Sequence, residues 1–281
     1  MKFSVLSSAF LSSLAVASTG SLAQDITKSE DVAERGAMQI ASTLEYAPFA
    51  FIDESGRQIG VNIELAEAIA AKMGVTLDVV RMPFPSMIPG LAADRFHIAW
   101  ETFTATEERL KQVDFVMFLR AGLVVSVTPD QLESFSGENP LCGKTIGVIT
   151  GTMADFQLDK MGAECAEKGL PALEKKVFLE AKDVLQAGLS GRIDGKLDDA
   201  TAAGYYEVTS GGKMVVLPTV YEESLLGIAI PKGDSGTATM LEQGLNALIA
   251  DGTYAQIMEK YGLGTAMIDQ AVVVDSIEDV Q

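Results

Sequence analysis

The feature that most constrains the fold is a regular alternation of strand-like and helix-like segments. In the clearest helix, Leu65, Ile69 and Met73 recur at helical spacing and Gly74 follows as a stop signal. The predicted segments are a strand at residues 38–42, a helix at 62–74, a strand at 75–82, a short helix at 84–94 with Pro89 near its start, and a strand at 96–100. The order β-α-β-α-β predicts a parallel sheet with helices on its faces.

A second set of alternating segments follows, with a different sequence. Its predicted members are a strand at residues 144–149, a helix at 153–160, a strand at 175–180, a helix at 181–191 and a strand at 192–199. A further strand at 225–233 and two helices at 236–250 and 253–261 come after it. Two such sets, in a chain of 281 residues with 48% hydrophobic content, predict an α/β protein with two similar lobes.

The N-terminal residues have the pattern of an export signal. Lys2 precedes an apolar run that ends near Ala17, and the small residues Ser21 and Ala23 suit a signal-peptidase cut. The alternative is a membrane anchor, but the run is broken by serines and is shorter than the roughly 20 residues that span a bilayer. We therefore expect residues 1–23 to be a signal peptide and the mature protein to be exported and soluble.

The charge of the chain argues against nucleic acid as a partner. The formal charge is -18, and losing Lys2 with the leader leaves 20 of the 21 basic residues against 39 acidic ones, or -19. Such a surplus of negative charge repels phosphates. It suits a soluble monomer, in which any anion must be held by a local site against the overall field.

Export also changes the interpretation of the two cysteines. In an oxidising compartment, the even pair Cys142 and Cys165 most simply forms one disulfide, and the alternative is two buried thiols. A metal site is poorly supported, because His97 is the only histidine and no CxxC pattern occurs. His97 lies in an apolar run that predicts a strand, where a structural role is expected. No metal, cofactor or catalytic residue is predicted.

The candidate ligand site lies where open α/β sheets bind ligands, beyond the carboxyl ends of the strands. The segments there are LEYAPF (44–49), MPFPSM (82–87), WETFTATEER (100–109), TGTMAD (150–155) and LDDATAA (197–203). Their aromatic rings, hydroxyl groups, arginine and aspartates suit a zwitterion, with Arg109 for a carboxylate and an aspartate for an ammonium group. From the residues alone, Arg109 also fits an exposed pair with Glu107 or Glu108, and the rings fit an ordinary core.

At these residues the sequence resembles the polar amino acid binding proteins of bacterial ABC importers, solute-binding protein family 3. The matching blocks, in the family's order, are YAPFAF with GVNIELAEAIAAKMGV, FPSMIPGLAADRFHIAW, TATEERLKQVDF, LCGKTIGVITGT, LSGRIDGKLDD and DGTYAQIMEKYG. The resemblance implies the two-lobed periplasmic-binding-protein fold, in which two hinge strands join the lobes and the lobes close over a free amino acid. It implies a periplasmic protein, not an enzyme, that delivers its ligand to the transmembrane subunits of an ABC permease.

The family pattern also sets the expected limits of the lobes. We expect lobe 1 to comprise residues 24–123 and, after the chain returns, residues 226–264. Lobe 2 should comprise residues 124–225. The tail at residues 265–281 is acidic and has no periodicity, so we expect it to be loosely held.

The resemblance implies roles for the residues that would hold the ligand's backbone. Arg109 matches the arginine that holds the ligand carboxylate, and Thr104 matches the hydroxyl residue that assists it. The backbone of Thr102 and the side chain of Asp199 match the positions that receive the ammonium group.

Four more residues match positions around the ligand. Tyr46 and Phe84 match the two rings that sandwich the side chain. Thr152 and Met153 match two threonines at a helix start, and the methionine can contribute only its backbone amide.

Departures from the family pattern concern specificity. Members that bind cationic amino acids carry an acid three positions before the first ring, where this chain has Thr43. Glu101 replaces a small residue, and it either binds a cationic side chain or is a rim carboxylate. Asp198 and Asp199 are strand neighbours that should point to opposite faces, so we expect only one in the cleft.

Two other classes of function remain open. The alternative to a binding protein is an exported dehydratase of the same fold that acts on a small carboxylate, with Glu101 as its candidate acid or base. A sensory input module is a third class, and it would need a membrane-spanning signalling segment.

Overall fold

Residues 26–280 are described by the computed structural model, and the signal peptide predicted at residues 1–23 lies outside them. The helices are α1 (Glu30–Arg35), α2 (Val61–Met73), α3 (Met87–Ala92), α4 (Glu107–Leu110), α5 (Met153–Glu167), α6 (Ala181–Leu189), α7 (Ala200–Thr209), α8 (Ser235–Ala250) and α9 (Thr253–Lys260). The strands are β1 (Ala37–Ser42), β2 (Glu45–Tyr46), β3 (Ala50–Ile52), β4 (Gln58–Ile59), β5 (Thr76–Arg81), β6 (Ala99–Thr104), β7 (Val113–Val127), β8 (Thr145–Ile149), β9 (Glu174–Phe178), β10 (Gly195–Asp199), β11 (Val215–Pro231) and β12 (Val272–Val274).

The strands of the two predicted sets form two parallel groups within one nine-stranded sheet. In the first lobe the order across the sheet is β5-β1-β6, and in the second lobe it is β9-β8-β10. Each group has its second strand at the outer edge and its third strand nearest the centre, and the paired strands within each group are parallel. The predicted two-lobed α/β fold is therefore confirmed. Strands β2, β3 and β4 form a separate small sheet.

Two long antiparallel strands, β7 and β11, connect the lobes. In the first lobe β11 pairs with β6, in the second lobe β7 pairs with β10, and the two long strands also pair with each other. Where these two strands pass from one lobe to the other, Glu222 has a φ of 44°. The strands approach each other closely there, because a Cβ atom added to Gly122 would lie within 2.3 Å of Val220 Cγ1. The sequence analysis predicted only residues 225–233 of these strands, because β7 is buried on both faces for most of its length and shows no alternation.

The third strand of the first lobe lies further along the chain than predicted. β6 begins at Ala99 and ends at Thr104, so the prediction of a strand at residues 96–98 is wrong. His97 lies before the strand, and its ring nitrogens are 3.4 Å from carboxylate oxygens of Asp94 and Asp234. These polar partners hold His97 outside the apolar strand.

The C-terminal tail is ordered up to residue 280, which corrects the expectation of a loosely held segment. β12 pairs antiparallel with β7 at Val272–Val274, on the side of β7 that faces away from β11. The Asn246 side chain accepts a hydrogen bond from Ala271 N at 2.9 Å and donates one to Ala271 O at 3.2 Å. The three valines therefore cover an edge that would otherwise expose unpaired backbone groups.

The predicted disulfide is confirmed. Cys142 and Cys165 are bonded, with 5.6 Å between their Cα atoms, and the bond joins the loop before β8 to α5. Helix α5 ends at Glu167, later than predicted, so Cys165 lies in its last turn, where it is buried. Closing a loop with a sequence separation of 23 stabilises the fold by roughly 3 kcal/mol in the chain-entropy description.

Each lobe has an apolar core. The first contains Trp100 and Phe118, and the second contains Val148 and Leu158. Among residues 26–280, no helix combines the length and the apolar character that a membrane span requires.

Candidate functional site

A cavity of about 330 Å³ lies between the lobes, beyond the carboxyl ends of β6, β8 and β10. Its position agrees with the site expected for open α/β sheets. All the predicted ligand-binding residues line it, namely Tyr46, Phe84, Glu101, Thr102, Thr104, Arg109, Thr152, Met153 and Asp199. Their roles in ligand binding stay predictions.

Arg109 is held rigidly on the wall of the cavity. Thr106 caps α4 by accepting a hydrogen bond from Arg109 N at 3.3 Å, which turns the arginine into the cleft. The guanidinium donates to Thr104 O at 2.8 Å and, across the cleft, to Gly151 O at 2.7 Å. The rest of its N–H fork remains available to an anion.

The surroundings of Arg109 exclude the alternative of a surface pair. The residue is only 7% exposed, and its Cζ atom lies 5.8 Å from the Phe84 ring centroid and 5.6 Å from that of Phe103. The neighbouring Glu107 and Glu108 pair instead with Lys111, at 3.8 and 3.3 Å. Burial lowers the pKa of Arg109 to about 10, against the opposing charge of Asp199, so the group is still a cation at neutral pH.

The second lobe contributes a helix start at this end of the cavity. Gly151 has a φ of 74°, which suits glycine, and its N–H donates to Asp155 Oδ2 at 2.8 Å. The Thr152 hydroxyl accepts from Asp155 N at 3.3 Å and donates to Ile149 O at 2.8 Å, so it serves as the cap of α5. The first backbone amides of α5, at Met153 and the following residue, are not used by this cap. They place the positive end of the helix at the cavity.

The aspartates lie at the opposite wall. Tyr46 Oη is 2.7 Å from Asp198 Oδ1 and 3.0 Å from Asp199 Oδ2, and it has one proton to donate between them. Thr102 Oγ1 donates to Asp199 Oδ2 at 3.2 Å. Burial, followed by the charge of Asp198, raises the pKa of Asp199 to about 7.

The expectation that only one aspartate reaches the cleft is wrong. Both Asp198 and Asp199 line the cavity. Strict alternation does not extend to Asp199, because β10 ends there and the chain turns into α7.

Glu101 is buried in the wall of the cavity, which rules out the alternative of a rim carboxylate. The residue is 1% exposed, and its Oε1 accepts from Ser42 Oγ at 2.8 Å and from Thr43 N at 2.7 Å. Burial raises the pKa of Glu101 to about 7, although these hydrogen bonds oppose the shift. Within residues 26–280, no lysine or arginine lies at ion-pair distance from Glu101.

Several charged groups in and around the cavity were missed by the sequence analysis. At the mouth of the cavity, Glu45 forms an ion pair with Arg81. Its Oε1 atom also lies 3.7 Å from Nζ of Lys182, which belongs to the second lobe. Behind the aspartates, Lys196 is 3% exposed and forms an ion pair with Asp198. The period of two along β10 would have placed Lys196 and Asp198 on one face.

The arrangement favours binding of a zwitterion. A buried cation, Arg109, and a half-buried acid, Asp199, face each other across the cavity, and Glu101 adds a second acid. In the described part of the chain, no cluster of histidine, cysteine, aspartate and glutamate side chains is placed to hold a metal ion.

Comparison with known proteins identifies the family. Residues 38–264 match the model of the bacterial extracellular solute-binding proteins, family 3. An arginine-binding protein of Corynebacterium glutamicum is 27% identical over 245 residues, which cover 87% of this chain and 80% of that protein.

Two solved structures are also similar. An ancestral arginine-binding protein bound to arginine is 30% identical with a TM-score of 0.73, covering 81% of this chain and 99% of that one. An ancestral amino acid-binding protein, described as a precursor of cyclohexadienyl dehydratase, is 29% identical with a TM-score of 0.72, covering 82% and 97%. With the family model matching most of the chain, this protein belongs to the bacterial extracellular solute-binding proteins of family 3.

Proposed function

We propose that this protein captures a free amino acid between its lobes. The observation that supports the proposal is that Arg109 and Asp199 face one cavity from different lobes. The ligand carboxylate would take the free part of the Arg109 fork, Thr104 and the first amides of α5. The ligand ammonium group would bind Asp199, with Thr102 beside it.

We further propose that the ligand has a cationic side chain. Tyr46 and Phe84 would hold its stem, and Glu101 would bind the cation at its end. Among residues 26–280, Glu101 is the buried acid that has no cationic partner and no proposed contact with the ligand backbone. A cationic side chain would therefore complete the charge balance. The names of the arginine-binding relatives support this class of ligand.

Delivery to an ABC permease completes the proposal. The loaded protein would be a periplasmic monomer, exported by residues 1–23, that presents its closed lobes to the transmembrane subunits. Lobe 1 would comprise residues 24–123 and 226–264, and lobe 2 residues 124–225. The family assignment supports this role.

A melting-temperature screen tests the ligand assignment. L-arginine at about 100 times its dissociation constant should add roughly 2.7 kcal/mol of stability. L-glutamine should give less, and agmatine, which lacks the carboxylate, should give almost none. Glu101→Gln should lose much of the response to arginine and keep the response to glutamine. An agmatine response equal to that of arginine would contradict the carboxylate site at Arg109.

A second candidate function rests on the pKa of Glu101, which is near 7. A buried acid that exchanges its proton near neutrality could protonate a leaving hydroxyl group, which departs as water, while Arg109 holds the substrate carboxylate. The resulting Glu101 carboxylate could then take the proton that the neighbouring carbon loses as the double bond forms. One similar structure is the precursor of a dehydratase. Mass spectrometry of the bound compound separates the two functions. An amino acid recovered unchanged supports binding, whereas a loss of water that disappears in Glu101→Gln supports the enzyme.

A further inference from the structure

We propose that Lys196 is a positioning residue for ligand capture, which neutralises Asp198 so that Asp199 keeps its charge for the ligand's ammonium group. The proposal rests on the proposed function, because it assigns Asp199 to the ammonium group. It concerns a residue behind the cavity that does not line it.

The two aspartates compete for one hydroxyl group. Tyr46 Oη lies within hydrogen-bond distance of both carboxylates, and the contact with Asp198 is the shorter at 2.7 Å against 3.0 Å. Two desolvated carboxylates that share one hydroxyl group repel each other, and without a nearby cation one of them tends to hold a proton. A protonated Asp199 cannot pair with an ammonium group.

Lys196 supplies the cation. It precedes Asp198 by two positions on β10, so both side chains project from the same face of the strand. Its ammonium group contacts Asp198, and its Nζ lies 4.8 Å from the ring centroid of Tyr206 on α7. An ammonium group buried to this degree requires a charge partner, and Asp198 is the only acid at ion-pair distance from it among residues 26–280.

The other charged and titratable groups around Asp199 are accounted for. Tyr46 faces it from β2, and Arg109 on α4 acts on it through its positive charge. Tyr206 on α7 faces Asp198, and burial raises the pKa of that tyrosine well above its ordinary value, so it stays neutral. The charge of Lys196 lowers the pKa of Asp199, in opposition to Asp198. The ion pair of Lys196 and Asp198, which lies behind Asp199, therefore has no net charge.

The first test uses the ligand-free protein, so it does not depend on which amino acid is bound. Carbon-13 NMR of the aspartate carboxyl groups would follow the titration of Asp198 and Asp199. Lys196→Met should raise the higher apparent pKa of the pair by about one unit or more, because the compensating charge is lost. Asp198→Asn, which keeps Lys196, should lower the pKa of Asp199. Unchanged titration in both variants would overturn the proposal.

The second test is rescue of binding. At pH 7.5, Lys196→Met should bind L-arginine about tenfold more weakly, and the deficit should shrink as the pH rises to 9. The double variant Lys196→Met with Asp198→Asn removes both charges and should bind within about threefold of the natural protein. It should also fold if the single variant does not, because the buried charge pair is removed as a unit. A double variant as weak as Lys196→Met would assign Lys196 a packing role and overturn the proposal.

The outcomes separate this proposal from the proposed function. If the natural protein binds no amino acid, the proposed function fails, and the carboxyl titration still decides whether Lys196 controls the aspartate pair. If the natural protein binds arginine but neither the titration nor the affinity depends on Lys196, only the present proposal fails.

Discussion

The two ends of the cavity hold charge in different ways. At one end, Arg109 is fixed by two backbone carbonyl groups and two aromatic rings, and it is a cation throughout the physiological range. At the other end, Asp199 is held by side-chain hydroxyl groups and sits beside another acid, and its pKa is about 7. If Arg109 binds the ligand carboxylate and Asp199 the ammonium group, as proposed, binding of the carboxylate should be insensitive to pH, whereas binding of the ammonium group should change with it.

The largest effect should come from breaking the fixed end. Arg109→Ala should weaken amino acid binding by roughly 2 to 5 kcal/mol, because it removes a desolvated charge partner of the carboxylate. The loss should be similar from pH 6 to pH 9. The matched control is Arg81→Ala at the mouth, where the side chain is 53% exposed and the expected loss is below about 1 kcal/mol. Calorimetric titration measures the affinity of both variants. Equal losses would contradict the assignment of Arg109 to the ligand carboxylate.

The second prediction concerns the stability of the ligand-free protein. Folding raises the pKa of Glu101 from 4.5 to about 7, so its contribution to stability is fully present below pH 4.5 and is lost as the pH rises through 7. Between pH 5 and pH 8 this loss amounts to about 2.5 kcal/mol. Glu101→Gln should flatten this part of the pH dependence in urea unfolding. A variant that follows the natural protein at every pH would show that Glu101 does not titrate in this range.

The third prediction tests the titrating end directly. Amino acid affinity should fall as the pH drops below 7, by up to about tenfold per pH unit for each acid that must be ionised. Asp199→Asn should bind the amino acid more weakly at pH 8. Its affinity should also change less steeply with pH, because one of the acids that must be ionised is gone. The control is Thr102→Val, which removes a hydrogen bond to Asp199 but no charge, and which should keep the slope. An unchanged slope in Asp199→Asn would place the titrating group elsewhere.

The smallest effect is a change of shape. Contacts across the cleft, such as those of Arg109 with Gly151 and of Tyr46 with Asp199, join the lobes. A ligand that touches both lobes should favour this closed arrangement over an open one. Small-angle scattering should show a more compact particle with L-arginine than without it, and Arg109→Ala should lose the difference. An equal radius at saturation would argue against closure.

Local chemistry explains what could be predicted from the sequence. The helix start at Thr152, the helix stop at Gly74 and the disulfide depend on neighbouring residues or on the compartment, so the chain encodes them directly. Strand β7 was missed because a strand buried on both faces shows no alternation, and only the end of β11 was predicted, where its residues are apolar. Strand β12 was missed because three valines in an acidic tail are a weak signal.

The sequence by itself determined which chemical groups are present and the order in which the strands and helices carry them. From that order and the family resemblance came the candidate residues that line the cavity. Only the tertiary structure decided their electrostatic state, because desolvation and charge pairing depend on segments far apart in the chain. Gly151 meets Arg109 across the cleft, Lys196 is buried against Asp198, and Glu101 is buried beside Ser42 with no basic side chain of the described residues paired to it. Burial and spatial neighbours set the charge of these groups, and neither can be read from the residues that flank them.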